Sequence, residues 1–167
     1  MPVVRAAAVL SSPLGELWVE VTDSGLSRLS FAVPEGAVER GESSVLDVLE
    51  QQLKAYFDGR LRTFSVPLDL QGSPFQVRVW NGLLTIPWGK TCTYLEQARV
   101  LGDEKAIRAV AAANGRNPVA IVVPCHRVIG SDGSLTGYAG GLDRKRALLE
   151  AEGLWPRGQS LLDLDAT

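Results

Sequence analysis

The sequence predicts a mixed α/β (α+β) protein, with a small antiparallel sheet and a helix in its N-terminal part and mostly helices in its C-terminal part. Three short apolar runs lie within residues 3–31. Pro13–Gly15 and Asp23–Gly25 supply turn residues between these runs, a pattern typical of an antiparallel meander. Within residues 43–57, serines precede apolar residues at helical spacing, which predicts one capped helix after the sheet.

The C-terminal part is predicted to open with a helix in which Ser73 is the cap and Pro74 the first residue. Thr93 is expected to cap a second, short helix over residues 94–101. A third helix, over residues 104–113, follows a break that contains glycine. Two short helices joined in this way have the layout of a helix-turn-helix in a winged-helix-like domain, although an ordinary helical hairpin fits the same pattern.

Charge also divides the chain. Residues 1–71 carry six basic and ten acidic side chains, residues 72–146 carry ten and five, and residues 147–167 carry one and four. The net charge of the whole chain is −2, which argues against a protein that coats nucleic acid non-specifically. The excess of basic residues in 72–146 makes this segment the expected binding site for an anion. We therefore predict a supporting domain over 1–71 and a functional domain over 72–167.

Composition excludes several classes of protein. No apolar run approaches the roughly 20 residues of a membrane helix, and the first residues lack the apolar core of a secretory signal. We expect a cytoplasmic monomer that does not bind membranes. The two cysteines are too few for a disulfide framework, and with a single histidine they do not suit a zinc site. Neither a metal nor another cofactor is expected.

One short segment carries the residues suited to chemistry. The apolar residues 121–124 are predicted to form a buried, extended stretch that leads to Cys125 and His126. Thiolate is the nucleophilic form of cysteine and neighbouring basic groups lower its pKa, so we expect the pKa of Cys125 to lie below the roughly 8.5 of a free thiol. A histidine base needs a third group to orient it, and Glu150 and Glu152 are candidates. Taken alone, the pair would equally suit an inert buried thiol beside a core histidine.

The residues on both sides of Cys125 and His126 favour a catalytic role over an inert thiol. Pro124-Cys125-His126-Arg127-Val128 resembles the PCHRV signature of the O6-alkylguanine-DNA alkyltransferases. The resemblance covers roughly residues 73–153. Its further matches are Phe75-Gln76, Val79-Trp80, Ile86-Pro87, Gly89, Tyr94, Arg108, Arg116-Asn117-Pro118, Gly137-Tyr138, Gly140-Gly141, Lys145, Leu148-Leu149 and Glu152-Gly153.

The resemblance implies a DNA repair reaction. Cys125 would accept an alkyl group from O6-alkylguanine in duplex DNA, with O4-alkylthymine as a second candidate lesion. His126 would deprotonate the thiol through a water, Glu152 would orient the imidazole, and Tyr94 would assist guanine as the leaving group. A thioether is a poor leaving group and no residue is evident that would regenerate the thiol, so each molecule is expected to act once and become inactive.

The resemblance also implies how DNA is held. Arg108 would enter the base stack and fill the space of an extruded nucleotide, since the reacting atom is inaccessible within a duplex. Small residues around Arg108 would let the helix approach the minor groove, where base-reading side chains are of little use. The DNA-binding set would include Ala106, Ala109 and Arg116 beside Arg108. The base pocket would involve Asn117, Val128, Tyr138, Ala139 and Lys145. Ala139 stands where several relatives have serine, so a hydroxyl contact there is absent.

Three other functions remain as alternatives. A lesion-binding module without transfer would share the fold and the Arg108 helix, but the intact Cys125, His126 and Glu152 disfavour it. A hydrolase that uses a Cys–His pair is disfavoured, because such an enzyme has no need of the predicted helix-turn-helix. A transcriptional regulator would present polar, base-reading side chains on its second helix, whereas residues 106–113 are mostly alanine.

Overall fold

A computed structural model describes residues 2–154. The chain divides into two compact units, one reaching to Gln71 and joined by Pro118–Val122, the other formed by Gly72–Asn117 and the residues from Val123 onward. The sequence prediction assigned 118–122 to the second part. The structure places this segment in the first unit because it pairs with the backbone of Leu29, which donates to the Pro118 carbonyl and accepts from the Ala120 amide, each at 2.9 Å.

The first unit contains the predicted antiparallel meander. Its strands are β1 (Ala6–Ser12), β2 (Gly15–Thr22) and β3 (Gly25–Ser30), hydrogen-bonded in the order β1-β2-β3. Gly25 has a φ of +143°, and a Cβ there would lie 2.5 Å from the Pro67 carbonyl oxygen. Only glycine tolerates both the backbone angle and this approach, which lets the Leu26 amide donate to Pro67 at 2.8 Å.

One helix accompanies the sheet in this unit, as predicted. Helix α1 spans Ser44–Phe57, and the hydroxyl of Ser43 accepts a hydrogen bond from the Val45 amide at its first turn. Its buried face carries Leu49, Leu53 and Tyr56. Burial of these side chains and of the inner face of the sheet forms the core of the unit, because apolar surface is removed from water on both elements.

The second unit is mostly helical. Its helices are α2 (Pro74–Leu83), α3 (Tyr94–Val100), α4 (Ile107–Gly115) and α5 (Leu142–Ala151). The predicted cap of α2 is confirmed as a capping box between Ser73 and Gln76, and Thr93 caps α3. The predicted helix over 104–113 begins instead as a 3-10 turn, Glu104–Ala106, before the α-helix proper. None of the helices in residues 2–154 has the length and apolar character needed to cross a membrane.

Buried polar contacts fix α4 within the second unit. The side-chain amides of Gln97 on α3 and Asn114 on α4 exchange two hydrogen bonds of 3.0 and 2.8 Å. The indole of Trp80 on α2 donates to the Ala113 carbonyl at 2.8 Å. These contacts satisfy polar groups that would be costly to bury alone, and they leave the opposite side of α4 exposed.

The approach to Cys125 differs from the prediction. Residues 121–124 are buried as expected, but they form tight turns rather than an extended stretch. Ile121 has a φ of +71°, and the Cys125 amide donates to the Val123 carbonyl only two residues earlier. Cys125–Arg127 form a 3-10 turn, followed by β5 (Val128–Ile129), which pairs in parallel with β4 (Cys92–Thr93). A short apolar run cannot by itself distinguish a strand from such turns.

Candidate active site

Cys125 lies at the wall of a cavity of about 520 Å³ in the second unit. Its thiol is 8% exposed, and the side-chain amide of Asn117 donates to Sγ at 3.2 Å and to the Val123 carbonyl at 2.7 Å. The same amide thus holds both the sulfur and the turn that carries it. The cavity is lined by Tyr94, Ile107, Arg108, Ala111, Asn114, Gly115, Cys125, Thr136, Gly137, Tyr138 and Ala139.

The pKa of Cys125 contradicts the expectation drawn from the sequence. Burial raises the pKa of the thiol above its ordinary value, and the Asn117 hydrogen bond and the positive charge of Lys145 lower it by less. The two basic residues that follow Cys125 do not reverse this effect, because both are held by another group. The resting thiol is therefore protonated at neutral pH and would have to lose its proton before it could act as a nucleophile.

His126 and Glu152 form a buried pair. Nε2 of His126 lies 2.7 Å from a carboxylate oxygen of Glu152, the residue that directly follows α5, and both side chains are 0% exposed. The sequence offered Glu150 and Glu152 as partners. Glu150 instead binds Arg146 one helical turn away, at 2.9 Å and partly exposed. At the end of α5, the carboxylate of Glu152 is therefore buried against His126, whereas that of Glu150 is partly exposed.

Arg127 is the site residue whose role the sequence missed. Its guanidinium donates to both oxygens of Glu152, at 2.7 and 3.1 Å, and to the Ile86 carbonyl at 2.6 Å. From the sequence alone, Arg127 is only one of the basic residues beside the thiol, and its place in the PCHRV motif is the signal for a larger role. In the structure it is the counter-ion of Glu152, and its two hydrogen bonds help to aim the carboxylate at His126.

The protonation of His126 follows from this arrangement. Burial lowers the pKa of the imidazole, and the bond to Glu152 raises it by less, so the ring is neutral at pH 7. An ionised carboxylate only accepts hydrogen bonds, so Nε2 carries the ring proton. Nδ1 then has a free lone pair, and this atom is buried without a hydrogen-bond partner among residues 2–154. The ring can therefore accept a proton at Nδ1 while Glu152 stabilises the resulting charge.

Two side chains hold the part of the cavity wall that Thr136 and Gly137 form. The Tyr94 hydroxyl donates to the Thr136 carbonyl at 2.8 Å. The ammonium of Lys145 donates to the same carbonyl at 3.0 Å and to that of Gly137 at 3.3 Å, and it lies 5.8 Å from the Tyr94 ring centre. The hydroxyl of Tyr138 is buried and finds no hydrogen-bond partner in the described part of the chain.

The exposed face of α4 borders the same cavity. Ile107, Arg108 and Ala111 line it, while Val110 and Ala113 face the interior. The guanidinium of Arg108 is exposed and makes no hydrogen bond or ion pair within residues 2–154. Of the other residues predicted to contact DNA, Ala109 and Arg116 are exposed and Ala106 is half-buried.

The predicted pocket residues divide into two groups. Tyr138 and Ala139 line the cavity, whereas Asn117, Val128 and Lys145 do not. Val128 is fully buried in β5. Asn117 contacts the site through the hydrogen bond that its side-chain amide donates to Sγ of Cys125. The cavity is also lined by residues of α4 that were not predicted, because the register of a helix leaves little signal in a single sequence: Ile107, Ala111, Asn114 and Gly115. No cluster of three metal-binding side chains is found in residues 2–154.

Models of known protein families match the sequences of both units. Residues 74–154 match the DNA-binding domain of 6-O-methylguanine DNA methyltransferase, and residues 6–70 match the ribonuclease-like domain of the same family. The two matches together cover most of the chain.

Individual relatives agree with the family match. A methylated-DNA--protein-cysteine methyltransferase of Methanosarcina acetivorans is 47% identical over 153 residues, 87% of this chain and 97% of the relative. One from Mycobacterium bovis is 62% identical over 101 residues, 60% of this chain and 61% of the relative. A crystal structure of the Mycobacterium tuberculosis O6-methylguanine methyltransferase superposes with a TM-score of 0.80 at 46% identity, covering 94% of this chain and 98% of that one. The chain belongs to the 6-O-methylguanine DNA methyltransferase family.

Proposed function

We propose that this chain repairs DNA by moving an alkyl group from O6 of a modified guanine in duplex DNA onto Sγ of Cys125. The observation that carries the proposal is a thiol on the wall of a cavity of about 520 Å³, next in sequence to a neutral imidazole fixed by Glu152. The names of the relatives agree with this activity. A solved Mycobacterium tuberculosis relative in complex with DNA, 46% identical with a TM-score of 0.81 over 95% of this chain and 98% of that one, supports DNA as the partner.

The proton of Cys125 is proposed to leave through His126. Nδ1 is a buried acceptor without a hydrogen-bond partner in the part of the chain that the structure describes, and a water bridging Nδ1 to Sγ would satisfy it. As Sγ forms its bond to the alkyl carbon, the bond from that carbon to O6 breaks, its electron pair stays on the base, and the base takes up one proton to become guanine. Tyr94, on the cavity wall, is proposed to assist the departing base by hydrogen bonding. The proton taken by His126 leaves a cation that Glu152 stabilises.

The product is a thioether on a buried residue. A thioether is a poor leaving group, and no second thiol lines the cavity to remove the alkyl group. The reaction is therefore proposed to be stoichiometric, with one transfer for each molecule. O4-alkylthymine is proposed as a second substrate, since it offers the same kind of carbon–oxygen bond.

DNA is proposed to meet the exposed face of α4 through its minor groove. Arg108 has no protein partner within the described residues and borders the cavity, so it can occupy the gap left by an extruded nucleotide. Ala106, Ala109 and Arg116 would flank it against the backbone of the DNA. We propose that α3 and α4 act as the helix-turn-helix expected from the sequence, and that the protein works as a monomer in the cytoplasm.

Intact-protein mass spectrometry tests the proposal. The chain is incubated with duplex oligonucleotides that carry O6-methylguanine or O4-methylthymine, and with an unmodified duplex. We expect a gain of one methyl mass, located on Cys125, that stops at one equivalent. The matched control is Cys92→Ser, which removes a half-buried thiol outside the cavity, and this variant should gain the methyl group normally. The Cys125→Ser variant should gain no mass. Tight lesion binding without any mass gain would identify a binding module instead, and repeated turnover with an unmodified thiol would exclude a stoichiometric acceptor.

A further inference from the structure

Tyr94 and Lys145 share one hydrogen-bond acceptor in the cavity wall. The carbonyl of Thr136 accepts a bond of 2.8 Å from the Tyr94 hydroxyl, on α3, and one of 3.0 Å from the Lys145 ammonium, on α5. Lys145 also donates to the Gly137 carbonyl at 3.3 Å. A carbonyl oxygen has two lone pairs, so these two donors fill the Thr136 acceptor. Helices α3 and α5 therefore hold the same short piece of the wall.

The Tyr94 hydroxyl is needed in two places. A phenol carries a single proton, so it donates to one acceptor at a time. In the structure this proton is directed at the Thr136 carbonyl, whereas the proposed transfer needs it to be directed at the departing base. Tyr94 and Thr136 both line the cavity in which that base would bind. The bond from Tyr94 to Thr136 must therefore break before the hydroxyl can assist.

Lys145 is placed to hold the wall when that bond breaks. Its side chain is 0% exposed and does not line the cavity, so a bound base leaves its bonds to Thr136 and Gly137 intact. The Thr136 carbonyl then keeps one donor after Tyr94 leaves, which avoids the cost of an acceptor without a partner. This role requires N–H donors rather than a charge, and a lysine that has lost its proton still has two N–H groups for the two carbonyls.

We propose that Lys145 is a positioning residue that lets Tyr94 change partners: Lys145 holds the Thr136 carbonyl while the Tyr94 hydroxyl turns from that carbonyl to the departing base. This inference rests on the proposed function and deepens it, since it states how the hydroxyl becomes available. Without Lys145, the hydroxyl stays on Thr136. Loss of Lys145 and loss of the hydroxyl then remove the same assistance, so their effects on the rate must not add.

A double-mutant cycle tests this coupling. The limiting rate and the half-saturation concentration for reaction with free O6-benzylguanine are measured for the native protein, Tyr94→Phe, Lys145→Met and the double variant. We expect each single change to lower the limiting rate by at least about tenfold, with little change in half-saturation, because the assistance acts on the departing base. Once Tyr94 is phenylalanine, Lys145→Met should lower the limiting rate further by less than about twofold.

Arg144→Met is the matched control. Arg144 donates to the Gly140 carbonyl at 3.2 Å, so it holds the same connection between β5 and α5 at a carbonyl other than the one that binds Tyr94. Its removal should change the limiting rate by equal factors in the native and Tyr94→Phe backgrounds. Equal factors for Lys145→Met as well would show a general loosening of the wall and would overturn the inference.

A second measurement leaves Lys145 unchanged and decides the matter if Lys145→Met does not fold. NMR follows the carbonyl-carbon resonances of Thr136 and Gly137 as a duplex carrying O6-methylguanine binds Cys125→Ser, which lacks the acceptor thiol. The Thr136 resonance should shift because one of its two donors leaves, and it should not shift when Tyr94→Phe is added. The Gly137 resonance should stay in place because Lys145 does not move.

Two results of this binding experiment would overturn the inference. One is a Thr136 resonance that ignores the bound lesion or shifts alike with and without the Tyr94 hydroxyl. The other is a Gly137 resonance that moves together with it. Methyl gain by the native protein is followed separately by intact mass, so a failure of the repair activity is distinguished from a failure of the exchange at Thr136.

Discussion

The carboxylate of Glu152 lies 2.7 Å from Nε2 of His126, although 26 positions separate the two residues in the sequence. Arg127 binds the same carboxylate through two nitrogens. One buried anion therefore fixes both the tautomer of the base and the position of the neighbouring cation. This arrangement leaves Nδ1 as the ring nitrogen of His126 that can accept a proton, and it makes the geometry of the site depend on the end of α5.

Replacing Glu152 by glutamine should destabilise the protein strongly. The change leaves the guanidinium of Arg127 buried without a counter-ion, which costs about 3–5 kcal/mol of unfolding free energy. Transfer to Cys125 should also slow, because the imidazole loses the group that stabilises its charge. Urea unfolding measures the first effect and intact-mass kinetics the second. Glu150→Gln is the matched control, since its partly exposed pair with Arg146 contributes at most about 1 kcal/mol. Equal losses in the two variants would contradict this role for Glu152.

Acid should destabilise the protein through His126. Burial lowers the folded-state pKa of the imidazole below its ordinary value of about 6.5. Below pH 6.5 the unfolded chain therefore binds a proton that the folded chain does not. The stability due to this group is complete above pH 6.5 and is lost as the pH falls toward the folded-state pKa, by at most about 1.4 kcal/mol per pH unit.

Urea midpoints between pH 7.5 and about pH 5 test the sign of this effect. His126→Asn should show a flatter pH dependence than the native protein over that range. The comparison is clean because the chain contains a single histidine. Parallel curves for the two proteins would mean that His126 titrates alike in the folded and unfolded states.

The Arg108→Ala substitution should slow the extrusion of the base from the duplex without slowing the transfer of the alkyl group itself. Repair of O6-methylguanine in a duplex should slow by an amount equivalent to a few kcal/mol at most, roughly the free energy of unstacking one base. Reaction with free O6-benzylguanine should be unaffected, because a free base needs no extrusion. Single-turnover rates on both substrates provide the measurement. Arg60→Ala, which removes an exposed arginine of the first unit, controls for the loss of one positive charge. Equal slowing on both substrates would place Arg108 in the chemical step.

Local features of the fold could be predicted from the sequence. The meander, α1 and the capped starts of α2 and α3 depend on turn residues, caps and periodicity within a few positions. The boundaries were less certain, as the 3-10 turn ahead of α4 and the tight turns before Cys125 illustrate. Both depend on packing that a short apolar or alanine-rich run does not specify.

By itself the sequence determined which residues are proposed to carry the chemistry, because the motif around Cys125 and His126 is local and specific. Only the tertiary structure decided their protonation states. Burial raises the pKa of the thiol, lowers that of the imidazole, and assigns Arg127 to Glu152 rather than to Cys125. Desolvation and ion pairing depend on what surrounds a group in space, and residues distant in the chain supply those surroundings.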